Sequence, residues 1–222
     1  MRDFMHKPRL EKQPRKQTVK DYAKSIFFAI FLAILIRATL VQAYHIPSGS
    51  MEDTLLVGDY VLGDKLTFGT QIPDRLPILN LKLPSFRMPG FRDPGPGDIV
   101  IFEFPNDPSR DFIKRCIAIE GQTVEVKNRV VYVDGEPFQD PPGVKYTDYR
   151  QRGNFGPYTV PPGHIFVMGD NRDNSSDSRV WRAVSLEKVK AHPLLIYFSW
   201  NPDAPFWNLL EKIRWRRLGP VN

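Results

Sequence analysis

The chain has 222 residues, enough for one domain of ordinary to large size, and a formal net charge of +6. Eight basic and three acidic residues lie between Met1 and Lys24, so this segment supplies +5 and the remainder is close to neutral. Charge clustered at one terminus beside an apolar run argues against a nucleic-acid-binding protein. The single cysteine, Cys116, excludes an intramolecular disulfide.

A long apolar run follows the basic segment. Eleven uninterrupted apolar residues extend from Ile26 to Ile36, and the run reaches about twenty residues if Arg37 is tolerated near the end of a helix. Twenty helical residues span the ~30 Å hydrocarbon core of a bilayer, and an arginine side chain can reach the headgroups. The sequence therefore predicts a transmembrane anchor at 22–43, preceded by a basic segment at 1–21 and followed by a domain at 44–222.

A cleaved signal peptide, a surface helix and a buried core helix remain as alternatives for this run. No clean A-x-A cleavage site follows it, and its apolar residues surround the helix, whereas a surface helix has one polar side. Eight Lys and Arg residues precede the run, and none occurs between Ala38 and Asp64. By the positive-inside rule, we expect a cytoplasmic N-terminus and an extracytoplasmic domain.

The rest of the chain has the pattern of short strands and turns. Five segments are rich in β-branched and aromatic residues and are bounded by Gly, Pro, Asn or Asp. They are Asp98–Phe104, Asp111–Glu120, Thr123–Val133, His164–Asp170 and Leu194–Trp200. The predicted fold is a mainly β domain with an antiparallel sheet, joined to one N-terminal transmembrane helix.

Two proline-rich stretches are predicted to be loops. Gln71–Gly97 contains six prolines and Asp140–Gly163 contains five, and proline cannot donate a hydrogen bond to a central strand. The apolar side chains of the first loop either fold onto the core or form a rim that enters a membrane. Near the end of the chain, Trp207–Arg217 predicts a short amphipathic helix.

One lysine on a predicted strand has unusual surroundings. Because side chains alternate along a strand, Lys114 is expected to share a face with Phe112, Cys116 and Ala118, and Arg115 to lie on the other. Loss of hydration disfavours the charged amine and lowers its pKa. Lys114 is therefore a candidate proton acceptor, although most strand lysines are simply solvated.

Serines and an acidic loop supply the remaining candidates. Ser48 and Ser50 flank a glycine, which lets the backbone approach a substrate carbonyl closely. In the loop that follows the His164 strand, Ser175 can orient an amine, and Asp177 can form an ion pair with Arg179. A serine with a lysine base is a known variant of the catalytic triad.

Two other kinds of site fit the sequence poorly. A calcium loop starting at Asp170 would have Arg172 at its third position and lack the closing glutamate, so we expect no metal and no cofactor. A histidine-dependent triad would need a histidine in a distinctive context. None of the four has one: they are His6, His45, His164 and His192.

Five motifs in order resemble the bacterial type I signal peptidase family of Ser/Lys proteases. They are PSGSM (Pro47–Met51), GDYVLGDKL (Gly58–Leu66), PGDIVIFEFP (Pro96–Pro105), DFIKRCIAIEG (Asp111–Gly121) and MGDNRDNSSDSR (Met168–Arg179). The resemblance extends from about residue 22 to residue 200. One departure is visible: the family usually has a proline where this chain has Asp53.

The resemblance implies a role for each candidate residue. Ser50 would be the nucleophile and Lys114 the general base, with the oxyanion held by the Ser50 amide and the Ser48 hydroxyl. Ser175 would orient the lysine, and Asp177 with Arg179 would support the site, as would Asp170 and Arg172 more loosely. The substrate pockets would be formed by Ile46, Met51, Leu55, Phe112 and Ile113.

The resemblance also implies the substrate and the cellular location. The expected substrates are signal peptides of exported preproteins, with small residues at the first and third positions before the cut, and the expected location is the cell membrane. Two rivals remain: a tethered binding protein with an inactive site, and a self-cleaving regulator, which would need a DNA-binding region in place of the anchor. The sequence indicates no oligomeric state.

Overall fold

The first element is a helix, α1 (Val19–Thr39), with an acidic residue, Asp21, in its first turn and Arg37 in its last. Both charges suit the helix dipole. The structure is a computed structural model that describes residues 19–69, 89–147 and 153–221. Among these residues, no helix is both long enough and apolar enough to cross a bilayer.

The helix ends before the predicted anchor does. The anchor was predicted to continue to residue 43, but β1 (Val41–His45) begins two residues after α1 and pairs with β2 (Asp59–Asp64). Valine and tyrosine favour a strand when a partner strand is available. The chain divides into two units, residues 1–35 and residues 36–222, and β1 belongs to the second.

Within the described residues, eight strands form one large antiparallel sheet. Along the sheet the order is β1, β2, β11 (Val189–Ser199), β3 (Ile99–Glu103), β4 (Asp111–Ile119), β9 (His164–Met168) and β10 (Val184–Ser185), with β12 (Gly219–Pro220) paired to β11. Strand β4 lies between β3 and β9, so its backbone is paired on both sides. This confirms the predicted mainly β, antiparallel fold.

A second, smaller sheet follows β4 in the chain. It contains β7 (Glu136–Pro137), β6 (Val130–Val133), β5 (Thr123–Lys127) and β8 (Phe155–Thr159), in that order. Asn128 and Arg129 join β5 to β6 with φ angles of 49° and 75°. Positive φ at both central residues is the geometry of a tight hairpin turn.

Three apolar clusters hold the sheets together. The first contains Phe102, Cys116 and Val167. The second contains Ile117, Ala118 and Phe166, and valines of the small sheet pack into it. The third contains Ile46, Met51, Leu55, Val61, Ile99 and Ile196. Residues from β4 and β9 enter both of the first two clusters, so the large sheet is buried on both faces there.

Two details of the strands differ from the expectations. Part of the predicted loop Asp140–Gly163 forms β8. In the part of the chain that the structure describes, β8 pairs only with β5, and such an edge strand accommodates Pro157. Ala118 joins Ile117 in one cluster because the β4–β9 register shifts between Cys116 and Ala118.

The predicted tail helix is also shorter than expected. Only α3 (Leu209–Lys212) is α-helical, because the next residue, Ile213, forms a β-bridge with Trp200. The other short helix, α2 (Ser178–Trp181), follows the acidic loop. Most of the predicted loop Gln71–Gly97, which was considered as a membrane rim, lies outside the described residues: only residues 89–97 are described.

Candidate active site

Ser50 lies in a 3₁₀ turn, Gly49–Met51, between β1 and β2. The turn is anchored by Met51, which is fully buried. The Asn171 amide donates to the Ser50 carbonyl oxygen at 3.1 Å, and the Leu55 amide donates to the Met51 carbonyl at 2.6 Å. The backbone around Ser50 is therefore fixed from both sides.

The residue that departs from the family pattern has an unusual backbone. Asp53 has a φ angle of 80°, which proline cannot adopt because its ring holds φ near −65°. The turn that follows Ser50 therefore has a backbone conformation that a proline at position 53 could not adopt.

Lys114 on β4 is only 3% exposed, and its Nζ lies 2.6 Å from Ser50 Oγ and 3.0 Å from the Ile113 carbonyl oxygen. The amine also lies 5.3 Å from the centre of the Phe112 ring. Burial lowers the pKa of Lys114 to about 8, although the charges of Asp177 and Asp170 partly oppose that effect. Near neutral pH, Lys114 is therefore uncharged in a larger fraction of the protein molecules than an ordinary lysine would be. The uncharged amine can accept a proton from Ser50.

The predicted ion pair in the acidic loop is formed. Asp177 is completely buried, accepts from Arg179 Nε at 2.8 Å, and also accepts from the Gly169 amide at 3.1 Å. A Cβ atom on Gly169 would lie 2.5 Å from the Ser50 carbonyl oxygen and 2.2 Å from Ser175 Oγ. The glycine therefore lets the loop pass directly behind Ser50.

Ser175 itself makes no hydrogen bond within the described residues, although its hydroxyl is buried. The expected bond from Ser175 to the Lys114 amine is therefore not formed in this structure. Ser48 precedes the 3₁₀ turn, makes no capping bond with its side chain, and faces the cleft beside Ser50.

A second buried ion pair joins Arg115 to Asp170. The sequence did not indicate Arg115 as a site residue. Asp170 accepts from Arg115 Nε at 2.9 Å and Nη2 at 2.7 Å, and from Thr54 Oγ1 at 2.6 Å. Arg115 is the neighbour of Lys114, and Thr54 lies four residues after Ser50. The alternation along β4 predicted that Arg115 and Lys114 lie on opposite faces. It gave no signal that Arg115 pairs with Asp170.

Arg172 is buried and makes a bidentate ion pair with Asp140. It also donates to the Tyr146 hydroxyl at 3.2 Å. Arg172 therefore holds the segment after β7 against the acidic loop. Asp140 and Tyr146 are partners that the sequence motifs did not indicate.

A cleft of about 600 Å³ opens in front of the Ser50 and Lys114 side chains. Three of the five predicted pocket residues line it: Ile46, Phe112 and Ile113. The other two, Met51 and Leu55, are fully buried in the third apolar cluster and do not reach the cleft. They support the wall from behind, because the 3₁₀ turn needs apolar anchors on its inner side.

The described histidines do not form a triad. Two of the three bond to backbone oxygens: His164 to Pro162 and His192 to Ile99. His45 lines the cleft and packs against the ring of Tyr60. Within the described residues, no histidine is hydrogen-bonded to a serine.

The family model described as signal peptidase, peptidase S26, matches residues 19–198 of the chain. The chain belongs to this S26 signal peptidase family. The match covers all five motifs, including Ser50 and Lys114. The protein is therefore a peptidase, in agreement with the interpretation of its motifs.

Relatives in several bacteria are similar over most of the chain. Signal peptidase I of Pseudomonas aeruginosa is 34% identical, over 90% of this chain and 79% of that protein. Signal peptidase I of Aquifex aeolicus is 32% identical, over 83% and 84%. The probable signal peptidase I-1 of Synechocystis is 34% identical, over 82% and 84%.

A solved structure is similar to part of the chain. The crystal structure of a signal peptidase I from Enterococcus faecalis is 27% identical, with a TM-score of 0.40. The similarity covers 46% of this chain and 97% of that one.

Proposed function

We propose that this S26 peptidase cleaves signal peptides from exported preproteins, with Ser50 as nucleophile and Lys114 as general base. The observation that carries the proposal is the 2.6 Å separation of Lys114 Nζ from Ser50 Oγ at a site where the amine is almost completely buried. The names of the similar bacterial proteins support the choice of substrate.

The reaction begins with a proton transfer. The uncharged Lys114 amine accepts the Ser50 hydroxyl proton as Oγ attacks the scissile carbonyl carbon. The tetrahedral intermediate collapses, the protonated lysine gives its proton to the leaving amine, and an acyl-enzyme remains. Lys114 then takes a proton from water as the water oxygen attacks the ester carbonyl. The second intermediate collapses with cleavage of the bond to Oγ, the lysine returns the proton to Ser50, and the acyl group leaves with a new carboxyl terminus.

The negative oxygen of the intermediate needs hydrogen-bond donors. We assign this role to the Ser50 amide and the Ser48 hydroxyl; Ser48 faces the cleft, and its hydroxyl is not used for capping. One such donor contributes about 3 kcal/mol to the transition state. The buried Ser175 hydroxyl makes no hydrogen bond within the described residues and is the group assigned to orient the amine.

We infer that the cleft beside Ser50 accepts small side chains of the substrate. Ile46, Phe112 and Ile113 give an apolar surface immediately beside Ser50. Apolar walls close to the nucleophile suit small apolar residues at the first and third positions before the cut. Burial of such residues supplies binding energy, whereas a charged residue there would lose its hydration.

We place the catalytic domain at a membrane surface through α1. The large apolar side chains of this helix are exposed on all sides, among them Phe27, Phe28, Ile30 and Phe31. Basic residues precede them in the sequence, which orients the N-terminus toward the cytoplasm. Tethering in the bilayer that holds the signal peptide would raise the effective concentration of substrate.

The test is cleavage of a purified preprotein by the detergent-solubilised protein. Ser50→Ala and Lys114→Ala should each lower kcat by at least 10³-fold, because each removes a group that acts in every turnover. Ser176→Ala is the matched control, since Ser176 also lines the cleft. Near wild-type cleavage by either catalytic variant would refute the Ser/Lys assignment.

A further inference from the structure

Two carboxylates lie immediately after the nucleophile turn. Glu52 and Asp53 follow Met51 directly, and Asp53 holds the positive φ of 80° described above. A non-glycine residue in this region is strained and persists only when its surroundings hold it. Glu52 and Asp53 together form an acidic turn.

The acidic turn lies close to the Ser50 backbone. Glu52 Oε2 is 3.4 Å from the position that a Cβ atom on Gly49 would occupy. Asn171 Nδ2 donates to the Gly49 carbonyl at 3.1 Å and to Glu52 Oε2 at 3.2 Å. Negative charge placed here opposes the negative charge that develops on the substrate oxygen beside Ser50.

One lysine contacts both carboxylates. Lys145 Nζ lies 3.2 Å from Glu52 Oε2 and 3.4 Å from Asp53 Oδ2. All three side chains are partly exposed, so the pairs contribute little to global stability. Their importance is therefore local: one positive charge offsets two negative ones and restrains the strained residue.

The backbone of Lys145 is held by the same segment that holds Ser50. The Lys145 amide donates to the Asp170 carbonyl at 2.9 Å, and the Arg172 amide donates to the Lys145 carbonyl at 2.9 Å. Asn171, between them, donates its amide to the Ser50 carbonyl. The Lys145 side chain thus extends from a fixed backbone position. This lowers the conformational entropy that is lost when the side chain pairs with the acidic turn.

We infer that Lys145 is a positioning residue for Ser50, which it serves by holding the acidic turn and neutralising its charge. The inference rests on the proposed role of Ser50. It goes beyond that role because Lys145 lies 31 residues after Lys114, outside all five sequence motifs, and acts through Glu52 and Asp53.

The experiment compares kcat and KM for a peptide that spans a signal-peptide cleavage site. Lys145→Met should lower kcat by about 3- to 10-fold and leave KM within about twofold, because the charge matters most in the transition state. Lys145→Arg should restore kcat to within about twofold of wild type. Lys127→Met is the matched control, since it breaks a surface ion pair with Glu125 on the small sheet.

A charge test completes the experiment. In a Glu52→Gln/Asp53→Asn background, Lys145→Met should change kcat by less than about twofold, because no charge is left to neutralise. The inference is overturned if Lys145→Met leaves kcat unchanged, if arginine does no better than methionine, or if the loss persists in that background. Failure of the proposed function shows separately, as cleavage that survives Ser50→Ala.

Discussion

Burying an amine without a carboxylate partner is unfavourable, and Lys114 is such a group. Its nearest polar neighbours are a hydroxyl and a carbonyl oxygen, Ser50 Oγ and the Ile113 oxygen. Neither carries a negative charge, so the uncharged amine is favoured relative to its state in water. Burial of Lys114 therefore lowers the stability of the fold, and it also gives a base that can act near neutral pH.

Gly169 is a residue whose small size the site requires. Gly169→Ala should lower kcat by at least tenfold, because the new methyl group would push the loop away from the Ser50 carbonyl oxygen and Ser175. Cleavage kinetics measure the effect. Gly95→Ala is the control, since a Cβ atom on Gly95 would lie 3.8 Å from its nearest neighbour, Asp98 Oδ2; equal activity of both variants would contradict the geometry.

Some site residues could be found from the sequence and others could not. Ser50 and Lys114 stand in motifs whose residue types already suggest their chemistry. Asp170 and Arg115 also stand in motifs, but their pairing joins residues 55 positions apart and depends on the β4–β9 register. Lys145 lies in a predicted loop without a motif, so only the fold brings it to the acidic turn.

At the scale of elements, β4 organises the site. It carries Lys114 toward Ser50 and Arg115 toward Asp170, and so joins the nucleophile turn to the acidic loop. All five predicted segments contain strands, and Thr123–Val133 contains both β5 and β6. They were found because their β-branched residues and flanking turns are local signals. β1, β2, β8 and the bulge near Ala118 were missed, because strand pairing and register depend on neighbouring strands.

The Arg115–Asp170 pair should be a major support of this arrangement. Arg115→Met is expected to lower the free energy of unfolding by about 3–5 kcal/mol, because it leaves the fully buried Asp170 carboxylate without its cation. Urea unfolding measures the change. The double variant Arg115→Met/Asp170→Asn should recover part of the loss, and a single variant as stable as wild type would contradict the role of the pair.

At the scale of the whole molecule, the chain consists of two units with different surfaces. Residues 1–35 include the exposed apolar part of α1, and residues 36–222 contain both sheets and all the site residues. The three apolar clusters lie entirely within the second unit. Within the described residues, the clusters of the second unit are thus built from its own side chains.

Removal of residues 1–35 should separate catalysis from tethering. The shortened protein is expected to keep its urea unfolding midpoint and to cleave a soluble peptide at nearly the wild-type rate. Cleavage of a preprotein inserted in lipid vesicles should fall by at least tenfold, because the tether no longer concentrates enzyme and substrate. Equal losses on both substrates would contradict a tethering role for α1.

The most direct test of the account is the pH dependence of kcat/KM for peptide cleavage. Lys114 must be uncharged to accept the Ser50 proton, so activity should rise with pH through a midpoint at the lowered pKa of about 8. The same profile should persist in His45→Asn, which alters the histidine in the cleft. A midpoint near 6.5 that disappears when a histidine is replaced, or one near the ordinary lysine value of about 10.4, would contradict an uncharged lysine base.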